Sequence, residues 1–264
     1  MPASLSADPS ALRDALTLYS NFAAILAGFA FTAVIVIPSL PRDRQGGPDE
    51  REIEEVLTVG ISSFFSLSIT AVAYGSVVAA SGDAYKALLG GLLSGTALAL
   101  SALLLTLFIV LLLESLFSAS SLATYARRML SQFFPLIAFV NLQGPMEEYL
   151  HVTFPGHTPV LVRVVLSVFL ALLVAWGAAG FFVHRWPAVG VRLSVPRSGV
   201  RWLSGATFCA CTAATAAAAM YTNHDRHGSA PPVGVMMAIM TLAFLGFLCF
   251  GVCTFFLRPA PRQP

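Results

Sequence analysis

The chain has one lysine. Only 11% of its 264 residues are charged, against about 25% in a soluble domain, and that shortage argues against an ordinary soluble enzyme. The other basic residues are arginines scattered between apolar runs rather than gathered on one face, which argues against a nucleic-acid partner. Cysteine is also scarce. Cys209, Cys211, Cys249 and Cys253 lie inside apolar runs without C-x-x-C spacing, so they read as small packing residues rather than metal or redox ligands. The single lysine, Lys86, falls outside the apolar runs, which removes the Schiff-base residue a retinal protein requires. His151, His157, His184, His224 and His227 sit in loops or at run ends, so no pair could ligate haem inside a bilayer. No P-loop, G-x-S-x-G or H-E-x-x-H occurs, and ATP-driven transport and the common hydrolase chemistries have no support. Met1 to Asp14 lacks the pattern of a cleaved signal, so the first apolar run is expected to remain as an anchor.

What is present is apolar. Hydrophobic residues make up 57% of the chain, with 20 Phe and a mean hydropathy of +0.79. Six runs, about 16–38, 56–80, 87–117, 158–183, 203–222 and 233–257, are near or above the roughly 20 residues that a helical span needs. A seventh segment, 129–146, is shorter and carries Gln132, Pro135 and Asn141. Hydropathy alone allows it to be a span, a re-entrant segment or an interfacial helix.

Arginine placement favours a span, because cytoplasmic loops collect basic residues. With seven spans and the N-terminus outside, the inner segments hold eleven arginines: Arg42, Arg44, Arg51, Arg127, Arg128, Arg185, Arg192, Arg197, Arg201, Arg258 and Arg262. The outer segments hold Arg13, Lys86 and Arg226, and Arg163 opens the fifth span. The expected fold class is therefore all-α, a single domain over 1–264 forming a polytopic seven-helix bundle in the cell membrane, N-terminus outside and C-terminus cytoplasmic.

Smaller patterns fit this frame. The acidic run from Asp49 to Glu55 follows Pro48 and suits the N-terminus of a helix. Gly91 and Gly95 form a G-x-x-x-G, and Ala213 to Ala219 is nearly all alanine, so helices are expected to approach closely and the bundle to be open to homo-oligomerisation. The serines of the second span read as bonded back to their own helix rather than as a conduction path. Glu114 reads equally as a buried acid or as a residue just reaching the inner interface.

Polar groups at membrane depth are costly unless paired or hydrated, so each is a functional candidate. The outer half gathers Tyr19, Ser20 and Asn21, Tyr74 and Asp83, Asn141 and Gln143, Glu147, Glu148 and Tyr149, Arg163, and Tyr221 with Asn223, His224 and Asp225. An outward-opening polar pocket is expected, with Glu147, Glu148 and Asp225 as candidate catalytic groups. Asn141, Arg163, Tyr221 and Asn21 are the candidate substrate-binding groups, Arg163 being the natural counter-ion. The competing reading is that these residues mark the water interface, with Arg163 snorkelling. The histidines around His224-Asp225-Arg226-His227 could hold Zn²⁺, but the spacing is not diagnostic; no metal and no cofactor are assigned.

Three functions remain open. Carboxylic acids beside abundant aromatics suit an enzyme that protonates a lipid-like isoprenoid, with aromatic faces stabilising the cation. The alternatives are a small-molecule or ion transporter and a non-catalytic membrane effector. The stretch Leu18-Tyr19-Ser20-Asn21-Phe22, running into Leu26-Ala27-Gly28-Phe29-Ala30-Phe31, resembles the first span of small polytopic membrane-bound terpene cyclases of bacterial indole-sesquiterpenoid pathways. That resemblance implies a cyclase of this size and span number. It matches no catalytic motif and assigns no residue.

Overall fold

The computed structural model describes residues 9–37, 50–80, 82–116, 121–154, 159–183, 198–222 and 232–256. Among the described residues there are helices and no strands, as a hydrocarbon solvent demands of a chain that must pair its own backbone. In order they are α1 (Pro9–Val36), α2 (Glu50–Ala79), α3 (Ala84–Leu116), α4 (Ser121–Gln132), α5 (Phe134–Thr153), α6 (Val160–Val183), α7 (Ser198–Thr222) and α8 (Val233–Phe255). Six of these, α1, α2, α3, α6, α7 and α8, are long and apolar enough to cross a membrane. The chain is thus a multi-pass helical membrane protein.

The helix with the most apolar continuous stretch, α3, is the central post. In α3, 67% of the most apolar stretch is buried, against 17% in α1 and α6. Helices α2, α3 and α7 pack in a triangle with α1 along α2, while α4, α5, α6 and α8 form a second group joined to the first through α3 and α5. Gly91 and Gly95 serve different neighbours. A Cβ on Gly95 would sit 3.0 Å from Leu142 of α5, and one on Gly91 would sit 3.4 Å from Leu16 of α1.

Side-chain contacts fix the relative directions. Tyr19 near the start of α1 stacks on Tyr74 near the end of α2, and Lys86 at the start of α3 reaches the Thr222 carbonyl at the end of α7. Leu142 of α5 meets Gly95 in the first half of α3 and Tyr149 is an electrostatic neighbour of Tyr85, so the C-terminal end of α5 lies with the start of α3. The opposite end of the bundle holds the ion pair of Glu54 with Arg201 at 3.0 Å and that of Glu114 with Arg127.

The segment expected as one span over 129–146 is two helices, and proline is the reason. Pro135 has no N–H to give the Ser131 carbonyl four residues earlier, and its ring crowds that turn. The helical path kinks at Phe133 between α4 and α5, where the backbone stays right-handed helical and the Phe133–Met129 and Ile137–Phe133 bonds are kept. The Ser131 carbonyl accepts instead from the Trp176 indole N–H of α6 at 3.0 Å. Helix α8 closes on the kink through Gly251, where a Cβ would lie 2.8 Å from the Ser131 oxygen and 3.2 Å from the Pro135 ring. Beyond the kink α5 runs 20 residues to Thr153, about 30 Å. Glu147, Glu148 and Tyr149 are therefore inside a helix rather than following one.

Candidate functional site

A cleft of about 320 Å³ opens between α5 and α6. From α5 it takes Gln143, Glu147 and His151, which recur every four residues and so share one helix face. From α6 it takes Arg163 and Ser167, also four apart. Leu150, Leu166 and Leu170 supply the apolar wall. An acid, an imidazole, a guanidinium and a hydroxyl thus converge on one space, at the end of the bundle away from the Glu114–Arg127 pair. The volume fits a small organic molecule.

Further along the same two helices lies an aromatic cluster. Phe139, one turn before Gln143, and Phe169, two residues after Ser167, meet Phe244 of α8. Phe169 and Phe244 stack with centroids 4.4 Å apart, and Phe139 stands edge-on to both at 6.1 and 6.0 Å.

The expected pocket is only partly assembled. Glu147 and Arg163 both line the cleft, and both are exposed there, as are His151 and Ser167. Glu148, the next residue round the helix, is half-buried and does not line it. Asn141 is exposed and its side-chain amide donates to the Ile137 carbonyl of its own helix at 2.9 Å. Asn21 is exposed on α1, which packs on α2 and α3 and not on α5 or α6. Tyr221 is half-buried on α7 with Asp83 and Tyr149 as electrostatic neighbours, and it too is outside the cleft. Asp225, like His224 and His227, lies outside the described residues. Among the described residues no three of His, Cys, Asp and Glu come together as metal ligands.

Sequence reading gathered Gln143 with the outer polar groups without making it a site residue, and missed His151 and Ser167. The four-residue ladder along α5 becomes visible only when the helix continues past residue 146. The second missed residue set is at the other end of the bundle. Arg127 of α4 pairs with Glu114 of α3, and both side chains are nearly buried, at 13% and 12% exposure. The second carboxylate oxygen of Glu114 is buried there without a hydrogen-bond partner among the described residues.

The chain matches no family model, no curated protein and no solved structure. Its chemistry has to come from its own residues.

Proposed function

We propose that this chain is an integral membrane enzyme that binds an isoprenoid-like lipid in the α5–α6 cleft and begins its cyclisation by protonation from Glu147. The observation that carries the reading is the convergence of Glu147, His151 and Arg163 from two helices on one cleft, with Phe139 and Phe169 further along those helices packed on Phe244 of α8. Protonation of an alkene carbon or epoxide oxygen moves the Glu147 proton to substrate and leaves a carboxylate, whose charge the Arg163 guanidinium stabilises. Aromatic faces lower the energy of the resulting carbocation. Loss of a proton from the cyclised cation to His151, one turn along α5, ends the reaction as an isomerisation with no cofactor.

We also propose seven crossings, with α5 as the fourth, the N-terminus outside and the C-terminus in the cytoplasm. The support is charge: Arg127, Arg128 and Arg201 lie at one end of the bundle, the end assigned to the cytoplasm by the positive-inside rule. The cleft then opens at the outer face.

The experiment is direct incubation. Membranes carrying the chain, given a prenylated aromatic acceptor or its terminal epoxide, are expected to yield a product of unchanged mass for the given substrate and altered retention, detected by mass spectrometry. Membranes that leave every alkene and epoxide substrate unchanged would remove the enzymatic reading.

A further inference from the structure

Helix α7 buries a run of polar residues alongside Val200 and Ala218. Its buried stripe includes Ser204, Thr207, Cys211, Thr215 and Thr222, while Trp202 and Met220 are exposed. Facing it, α2 buries Ser63, Ser66 and Thr70, and α3 buries Ser94 and Ser101. These groups meet across the three helices. Ser62 Oγ lies 3.4 Å from Ser204 Oγ, Thr70 Oγ1 lies 3.5 Å from Ser101 Oγ, and Ser101 Oγ lies 3.5 Å from Cys211 Sγ. The Cys211 thiol donates to the Ala97 carbonyl at 3.6 Å. Ser94 is seven residues before Ser101 and Thr215 is four after Cys211, so both continue the same stripes. The column runs from the Glu54–Arg201 pair at one end to Lys86 at the other, where the ammonium donates to the Thr222 carbonyl at 3.3 Å.

Several of these hydroxyls bond back to their own helix, Thr70 to Ser66 and Ser101 to Ala97 among them. Ser63, Ser94 and Thr215 do not: their oxygens are buried without a hydrogen-bond partner among the described residues, while the Ser66 hydroxyl pairs with the Cys211 thiol. Buried unmade hydrogen bonds are costly, and buried water is the usual partner of such groups. Polar residues facing the interior of a membrane bundle also commonly line its solute and proton paths.

We propose that the α2–α3–α7 seam holds a file of water molecules and carries protons between the two ends of the bundle. A hydroxyl donates and accepts at once, so each oxygen takes a proton from one side and releases one to the other, with no net chemical change. The middle of the column has no carboxylate, which leaves it poorly suited to a hard metal cation. This conduction is independent of chemistry in the α5–α6 cleft.

Cys211, in the middle of the seam, supplies the test. The full chain carrying Cys209→Ala, Cys249→Ala and Cys253→Ala is reconstituted into liposomes with an internal pH dye under a potassium diffusion potential. Proton flux above that of protein-free vesicles is expected. Silver ion should abolish it, forming an S–Ag bond at Cys211 with release of the thiol proton. Adding Cys211→Ala should make the flux insensitive to silver, and Ser66→Ala with Thr70→Val, at unchanged elution and helicity, should lower it. Flux no greater than in protein-free vesicles overturns the proposal, as does flux that silver leaves untouched while Cys211 is present, or current carried by sodium in place of protons.

Discussion

Replacing Arg127 with methionine is expected to lower the unfolding free energy by about 3–5 kcal/mol, because it strands the Glu114 carboxylate in a nearly buried corner. The second oxygen of that carboxylate already has no hydrogen-bond partner among the described residues, so little nearby can compensate the charge. Glu114→Leu alone should cost a comparable amount by stranding the guanidinium. The double variant Glu114→Leu with Arg127→Met should be more stable than either single variant, since an apolar pair of similar volume replaces two charges that must both be desolvated. Reversible unfolding in bicelles measures all three. Singles that each cost less than about 1 kcal/mol would match a water-exposed pair and show that α4 does not seal the end of α3.

Glu147→Gln is expected to reduce turnover about 10²–10⁴-fold, the usual contribution of a positioned general acid, or roughly 3–5 kcal/mol of barrier. Glutamine keeps the shape and polarity of the cleft but has no proton to transfer. Glu148→Gln serves as the control, because Glu148 is on the same turn and does not line the cleft. Its turnover should stay within a few-fold of wild type, with the same amount of protein in the membrane. Equal losses in both variants would shift the reaction to general negative charge at the end of α5 rather than to Glu147 as donor.

How much of this was legible depended on which constraint acted locally. Length and hydropathy act within one helix, so the six apolar runs appear in the structure with their ends moved by a few residues. The fourth segment was harder, because its kink comes from Pro135 and is stabilised by partners distant in sequence, the Trp176 indole and the bare Cα of Gly251. Stopping that helix at 146 hid the ladder of Gln143, Glu147 and His151. Glu147 and Arg163 were legible as candidates since polar residues in apolar sequence are conspicuous wherever they fall. Asn141 was equally conspicuous, but its side chain is bonded to its own helix, a choice that residue type does not reveal. Arg127 looked like loop charge. Only the fold-back of α4 over the end of α3 turns it into the partner of Glu114. An amphipathic pattern does run through Ala126, Met129 and Leu130 against Arg127 and Arg128, and it was the available sign of that helix.

The central claim is that the α5–α6 cleft is where a lipid-like substrate binds. The most direct measurement is photolabelling of the purified chain with a diazirine-bearing prenyl alcohol, with adducts mapped by mass spectrometry. The account predicts adducts concentrated on residues 143–151 and 163–170 that disappear when unlabelled prenyl compound competes. Adducts spread over the lipid-facing surfaces of α1 and α8, and indifferent to competitor, would contradict it.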